Sequence, residues 1–193
     1  MFIPTKEAFY DMTPTEFEKY SLEILQEQFE GAPDFTIKHN VIERVSDGNY
    51  QIDGLINFKQ AGLLFKVIVE CKHYKSSISR EKVVVLYDKL RALNAQKGIL
   101  ISSSSFQKGA IQFASEHGIA LIQITPTEQH TEIRSDCNYL IHSNVNLHNY
   151  DKPYIGVLQT YTGGIKCDYL RKTKKELINF ILSKSTNKEI CND

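Results

Sequence analysis

The chain has no net charge that would indicate a partner, because 23 basic side chains balance 23 acidic ones over 193 residues. The overall basic excess that is typical of nucleic-acid-binding proteins is therefore missing, and any such function must depend on local charge. Residues 1–31 carry two basic and seven acidic side chains, whereas residues 66–97 carry eight basic and three acidic ones. The second segment would attract a phosphate backbone, although a run of charge is usually only a solvated face.

Several other signals are also missing. The four cysteines include no Cys-x-x-Cys pair, and a zinc site drawn from Cys137, His142, His148 and Cys167 fits no familiar spacing. No signal peptide or long apolar run is found, so the pattern predicts a cytoplasmic protein with reduced thiols. No spacing of Ser, His and Asp suggests an acyl-transfer triad, and the Thr-Gly-Gly at 162–164 is too short for a phosphate loop.

Hydrophobic residues make up 41% of the chain. Their periodicity predicts a regular order of helices and strands. Thr13, Pro14 and Glu16 form a capping box with proline at the first helical position, and this helix is predicted to end near residue 29. Strands are predicted over 35–45, 50–58 and 63–72 as an antiparallel meander. Helices over 79–95 and 106–117 then alternate with strands over 98–102 and 119–124.

The order α-β-β-β-α-β-α-β predicts an α/β fold of the mixed-sheet, α+β type, with helices on both faces. A boundary near residue 126 divides the chain into a first domain at 1–126 and a C-terminal appendage at 127–193. The appendage is predicted to contain a hairpin over 154–159 and 165–170 and a helix over 173–184, with Thr173 and Glu176 as its capping box. Its role stays open between a specificity element, a dimer contact and structural padding.

Charged side chains interrupt two of the apolar predicted strands. Asp53 lies in Gln-Ile-Asp-Gly at 51–54, and Glu70 and Lys72 lie in Val-Glu-Cys-Lys at 69–72. Because strand side chains alternate, Glu70 and Lys72 share a face, Cys71 points into the core, and a suitable register places Asp53 beside Glu70. Two carboxylates and an ammonium group outline a Mg²⁺ site, since Mg²⁺ prefers carboxylate and water oxygens and recruits substrate phosphate.

This constellation suits phosphodiester hydrolysis, in which a metal activates water and neutralises the charge of the pentavalent phosphorus. Lys72 would either orient or deprotonate the attacking water or hold the charge of the phosphate, and the sequence leaves that choice open. Glu18 lies among the apolar residues of the first helix, where an unpaired acid is costly, so it is a candidate for the same site. The alternative is an ordinary cross-strand ion pair on the surface.

Five features, in this order along the chain, resemble the PD-(D/E)xK nuclease superfamily and, within it, the Mrr-type catalytic domain of restriction endonucleases. They are Pro-Thr-Glu-Phe-Glu at 14–18, the Asp53 strand, the strand with Glu70 and Lys72, the segment 98–104, and the closing helix and strand at 106–122. The resemblance covers residues 13–124 and is far more specific than Glu-x-Lys alone. Glu70 departs from many Mrr-like domains, which have Gln there, but Glu is the commoner form in the superfamily.

The resemblance implies a Mg²⁺-dependent endonuclease, with Mn²⁺ able to substitute, that cuts double-stranded DNA, often modified or foreign, in restriction or phage defence. It implies that the metal is held by Asp53, Glu70, the backbone carbonyl of Cys71 and, directly or through water, Glu18. It also implies that Lys72 is catalytic. A homodimer or larger homo-oligomer is expected, because cutting both strands needs two active sites or repositioning. The open alternatives are a catalytically silent fold that binds nucleic acid or a protein partner, and an enzyme for branched DNA, single strands or RNA.

Four residues after the Glu-x-Lys motif are candidates for contacts to DNA phosphates, namely Lys75, Arg80, Lys82 and Ser104. The three basic residues follow the catalytic strand or lie on the next helix, and Ser104 belongs to a serine-rich segment between a strand and a helix. A serine-rich helix cap explains that segment at least as well. A phosphate contact is also plausible for Lys89, on the same helix as Lys82, but ordinary solvated helix surface explains that residue equally well.

Overall fold

The structure, a computed structural model, describes residues 11–126, 152, 154–172 and 175–183. Its helices are α1 (Pro14–Gln28), α2 (Arg80–Ala92), α3 (Lys108–Glu116) and α4 (Glu176–Leu182). Its strands are β1 (Thr36–Val45), β2 (Gly48–Gln60), β3 (Leu63–Lys72), β4 (Lys97–Ser102), β5 (Ala120–Pro126), β6 (Tyr154–Tyr161) and β7 (Ile165–Tyr169). The predicted order of elements is confirmed, with ends displaced by a few residues. Thr173, the predicted cap of the last helix, lies outside the described residues.

The strands form one seven-stranded sheet in which spatial order follows chain order from β1 to β7. Strands β1, β2 and β3 pair antiparallel, β3, β4 and β5 pair parallel, and β5, β6 and β7 pair antiparallel again. The predicted meander and mixed sheet are thus confirmed. The C-terminal hairpin of β6 and β7 extends the same sheet, so the boundary proposed near residue 126 falls between two neighbouring strands. A division into two domains there stays a prediction.

Helices cover both faces of this sheet. On one side, called the α1 face, α1 and α4 share a buried cluster with the side chains of Val67, Val69 and Cys71. On the other, called the α2 face, α2 and α3 pack against Ile68 and its neighbours. The central strand β4 is buried on both sides, with Ile99, Leu100 and Ile101 all at 0% exposure, which explains its unbroken apolar sequence. Among the described helices, none has the length and apolar composition that a membrane crossing requires.

Helix α1 begins at the predicted capping box. The Glu16 N–H donates to Thr13 Oγ1 at 3.3 Å, and the Thr13 N–H donates to Glu16 Oε2 at 2.8 Å. Its apolar stripe, which includes Phe17 and Leu25 at 0% exposure, faces the sheet. This contact fixes the height and rotation of α1, and therefore the position of Glu18 one residue after Phe17.

Gly54, directly after Asp53, lies where the Leu22 side chain of α1 packs against the sheet. A Cβ atom there would be 2.6 Å from Leu22 Cδ2 and 3.1 Å from Val69 Cβ. We therefore expect Gly54→Ala to lower the free energy of unfolding by about 1–3 kcal/mol, because the Leu22 side chain and its surroundings must shift to make room for the added methyl group. The same change at Gly109 in α3, where a Cβ meets nothing within 4 Å, should be neutral or stabilising by up to about 1 kcal/mol.

Urea denaturation of the two glycine variants and the wild-type protein measures this difference. Equal stabilities for Gly54→Ala and the wild type would contradict the close approach of α1 to β2.

Candidate active site

The candidate site lies at the point where β2 and β3 stop pairing. Gly54 and Val69 are the last paired residues of these strands, while β3 continues beside β4 until Lys72 lies opposite Ser102. Beyond Gly54 the Asp53 carboxylate becomes the acceptor for β3, since its Oδ2 accepts the Cys71 N–H at 2.7 Å. Continuing the register places Asp53 across from Glu70, in the arrangement that the sequence analysis expected.

Glu70 lies between two ammonium groups on the α2 face. Lys72 Nζ donates to Glu70 Oε1 at 2.6 Å, and Lys89 Nζ donates to Glu70 Oε2 at 2.9 Å. Lys89 also donates to the backbone oxygen of Gln51 at 3.0 Å. The Glu70 side chain is only 13% exposed, so both ion pairs are largely shielded from water. Asp53, Glu70 and Lys72 are thus brought to one end of the sheet, together with a second lysine.

Sequence analysis weighed a phosphate contact for Lys89 equally against solvated helix surface, and the structure contradicts the second interpretation. The Lys89 side chain is 22% exposed and reaches the sheet. A signal was available in the sequence, because Lys89 lies three residues after Leu86 and four before Leu93, both of which are buried. A lysine at that spacing lies beside the apolar stripe of its helix and can reach inward.

The surroundings of Asp53 on β2 and of Lys72 on β3 raise the pKa of each side chain, but for different reasons. Burial raises the pKa of the Asp53 carboxyl, the Cys71 N–H lowers it, and the negative charges of Glu70 and Glu18 raise it further, with a raised pKa as the result. For Lys72, burial lowers the pKa, but the hydrogen bond and charge of Glu70 and the charge of Asp53 outweigh burial and raise it. Lys72 is therefore a cation at neutral pH, which suits a group that holds negative charge better than one that removes a proton.

Glu18 approaches from the other side of the sheet. It lies on α1, which packs with Val69 and Cys71 on the α1 face, whereas Glu70 and Lys72 project from the α2 face. Its carboxylate pairs with His39, whose Nε2 lies 2.8 Å from Oε2, and its charge contributes to the raised pKa of Asp53.

His39 was not found by sequence analysis. It lies on β1 and pairs with Gly54 of β2, the residue that follows Asp53. The burial of β1 alternates only between half-buried and exposed, so nothing in its local pattern distinguishes His39. The pairing register with β2 is what brings it to the site.

The four candidates for phosphate contacts divide into two groups. Lys75 and Lys82 are exposed near the end of β3 and the start of α2. Arg80, however, lies with its guanidinium 5.0 Å from the ring centre of Phe113 and so packs against α3. The Ser104 hydroxyl donates to the Ser76 backbone oxygen at 2.7 Å, which ties together the loops after β3 and β4. Lys75 and Lys82 are thus better placed for phosphate than Arg80 and Ser104.

The donors at the site fit a hard divalent cation. Asp53 and Glu70 offer carboxylate oxygens and Cys71 offers a backbone carbonyl, while Mg²⁺ commonly takes one or two protein carboxylates and completes its shell with water and substrate phosphate. The repulsion that raises the pKa of Asp53 is one that such a cation would offset. Within the described ranges, no group of three or more His, Cys, Asp and Glu side chains is arranged so that it could hold a metal ion by itself. Cys137, His142 and His148 of the zinc set lie outside those ranges.

The match to known families covers the elements that carry this site. The family model described as restriction endonuclease, of the Mrr catalytic type, matches residues 9–126. The chain therefore belongs to this restriction endonuclease family. A curated relative, the type IV methyl-directed restriction enzyme EcoKMrr of Escherichia coli (strain K12), is 29% identical over 118 residues. That match covers 60% of this chain but only 37% of the relative, so the chain spans well under half of that enzyme's length.

Similar solved structures include the protein of unknown function AF1548, with a TM-score of 0.46 and 18% identity over 58% of this chain and 56% of that one. They also include the MspJI restriction endonuclease in complex with a 27-mer oligonucleotide, with a TM-score of 0.38 and 24% identity over 59% of this chain and 26% of that one. Because both scores lie under 0.5, family membership is based on the sequence match.

We expect Asp53→Asn to retain or raise the stability of the fold at neutral pH and Asp53→Ala to lower it. Asn removes a charge that burial and two neighbouring acids disfavour, and its amide oxygen still accepts the Cys71 N–H, so stability should be retained or rise by up to about 1 kcal/mol. Ala leaves that N–H without its acceptor and should lower the free energy of unfolding by about 1–3 kcal/mol.

Urea denaturation in EDTA, repeated at several pH values, measures both changes. Because the folded pKa of Asp53 is raised, the ionised carboxylate destabilises the fold at neutral pH, and this penalty disappears as the pH falls below the unfolded value of about 4. The advantage of Asn should fade over the same range. An Asn variant less stable than the Ala variant at neutral pH would refute the electrostatic account.

Proposed function

We propose that this chain is the catalytic domain of a Mg²⁺-dependent endonuclease that hydrolyses phosphodiester bonds in DNA. The observation that carries the proposal is the convergence of Asp53, Glu70 and Lys72 at the end of β2 and β3, inside the segment that the restriction endonuclease family model matches. Two carboxylates and a protonated amine are the groups that a metal-assisted attack of water on phosphorus requires.

In this proposal Mg²⁺ would be held by Asp53, Glu70 and the Cys71 carbonyl, and Glu18 would add a carboxylate directly or through water. The bound ion supplies Lewis acidity and lowers the pKa of a water molecule. Mn²⁺ should substitute, because oxygen donors suit it as well. His39 holds the Glu18 carboxylate in place, and the Cys71 N–H does the same for Asp53.

Lys72 is assigned the role of stabilising the negative charge that develops on the phosphate during the reaction. Its ammonium group lies on the same face as Glu70, and its raised pKa keeps it protonated at neutral pH. A fixed cation aimed at the phosphate would stabilise the negative charge that develops on the phosphoryl oxygens and the leaving oxygen. Of the two roles left open by the sequence, this one agrees better with the surroundings of Lys72.

The proposed substrate is double-stranded DNA, modified or foreign, cut in restriction or phage defence. The relative in Escherichia coli is named as methyl-directed, which makes methylated DNA the first modified substrate to test. We infer action in the cytoplasm as a homodimer or larger homo-oligomer, because two sites are needed to cut two strands at once. A silent domain that binds nucleic acid or a protein partner is the alternative, but binding alone gives no reason to keep the acids beside Asp53 that raise its pKa.

Purified protein should nick or linearise supercoiled plasmid with Mg²⁺ or Mn²⁺ and not with EDTA. Asp53→Ala and Lys72→Ala should each reduce the rate by about 100-fold or more, because each removes a group that acts on the transition state. Lys108→Ala, which changes an exposed residue of α3, should cleave like the wild type. Unmodified, methylated and phage DNA should be tested in parallel, together with a DNA junction, single strands and RNA as competitors.

Cleavage that persists in EDTA or in Asp53→Ala would contradict the proposed site. Retained DNA binding without cleavage of any of these substrates would support the silent alternative.

Lys75→Ala and Lys82→Ala should weaken DNA binding for all sequences alike. Each variant should reduce the slope of log K against log salt concentration by about 1, because one phosphate contact is lost. Lys166→Ala on β7, an exposed side chain on the edge strand four strands from β3, is the matched control and should leave the slope unchanged. Fluorescence anisotropy in EDTA measures the slope without cleavage, and slopes that equal the wild-type value would remove both residues from the DNA interface.

A further inference from the structure

Lys89 connects the two strands that carry the acids. Its ammonium group donates to Gln51 O on β2 and to Glu70 Oε2 on β3, at 3.0 Å and 2.9 Å. Gln51 lies two residues before Asp53, so a single α2 side chain is bonded to both strands within two residues of the proposed ligands. The described β2–β3 pairing ends at Gly54 and Val69, before this point.

The spacing of Asp53 and Glu70 therefore depends on side chains. Backbone pairing between β2 and β3 no longer sets the distance between the two acids at this point, and two side-chain contacts set it instead. One is the bond from the Cys71 N–H to Asp53, and the other is the bridge that Lys89 makes between Gln51 and Glu70. Two acids that must share one cation need a fixed separation, because a small misplacement lowers the rate strongly.

Lys89 also affects the charge that a cation would meet. Each oxygen of Glu70 is bonded to one ammonium group, Oε1 to Lys72 and Oε2 to Lys89. A divalent cation that binds Glu70 must either share the lone pairs of this carboxylate with both ammonium groups or displace one of them. It is repelled at short range by each ammonium group that stays, and this repulsion is strong where water is largely excluded.

We propose that Lys89 is a positioning residue that clamps Glu70 to β2 and competes with the divalent cation for its carboxylate. The proposal rests on the proposed function, since it concerns the same metal site. It predicts an unusual combination, in which loss of the Lys89 charge tightens metal binding but slows cleavage. A residue with only a structural role would weaken both, or change neither.

The test is Mn²⁺ binding, followed by the electron paramagnetic resonance signal of free Mn²⁺, beside plasmid cleavage at saturating Mn²⁺. Lys89→Met keeps the side-chain length without the charge, and should bind Mn²⁺ about tenfold more tightly. Its turnover at saturating metal should fall roughly 10- to 100-fold, the usual effect of losing a residue that orients a metal ligand. Lys89→Arg should restore the wild-type affinity and part of the turnover, whereas Lys108→Met should match the wild type throughout.

Lys89→Gln provides the same comparison if the Met variant does not fold, because Gln is neutral and polar. Mn²⁺ affinity that is lower than or equal to the wild-type value in the neutral variants, or turnover that is unchanged, would overturn the role of Lys89. Asp53→Ala separates the two proposals. If it binds Mn²⁺ as tightly as the wild type, the proposed metal site itself is wrong, whatever the Lys89 variants do.

Discussion

The hydrogen bond from the Cys71 N–H to the Asp53 carboxylate is the contact on which the arrangement of the site depends. It joins Asp53, one residue beyond the last paired residue of β2, to Cys71, two residues beyond the last paired residue of β3, so an acidic side chain continues a connection that the backbone has ended. The two strands can separate there, and the Cys71 N–H on β3 still has a hydrogen-bond acceptor. Asp53 is held beside Glu70 by the same bond that satisfies the backbone, which couples the geometry of the site to the integrity of the sheet.

The charges around this contact are not arranged for stability. Burial and the nearby charges of Glu70 and Glu18 raise the pKa of Asp53, so the folded chain holds its acids together against their repulsion. Lys72 and Lys89 offset part of that repulsion through Glu70. Acids kept close at a partly buried position are typical of sites that bind a cation or act on a charged substrate, where function and stability have opposite requirements. Membership of the restriction endonuclease family agrees with this interpretation.

The sheet brings these groups together from both of its faces. Helix α1 places Glu18, held by His39, over the face that contains Val69 and Cys71, and α2 places Lys89 over the face that contains Glu70 and Lys72. The site therefore depends on how two helices dock as well as on the strands. Gly54 shows the tolerance of this docking, because a single added methyl group would collide with Leu22. The C-terminal hairpin extends the same sheet by pairing with β5, which lies two strands from β3.

The sequence by itself determined the type and order of the elements, the capping box of α1, and the common face of Glu70 and Lys72. These features follow from local periodicity and from turn and cap residues, which are written within a few positions of one another. Only the tertiary structure decided the contact of Lys89 with Glu70 and Gln51, the pairing of His39 with Glu18, and the use of Arg80 and Ser104 in packing and loop contacts. It also decided that the C-terminal hairpin joins the main sheet. Each of these depends on strand register or helix docking between distant segments, and a local pattern of apolar and polar residues does not encode either.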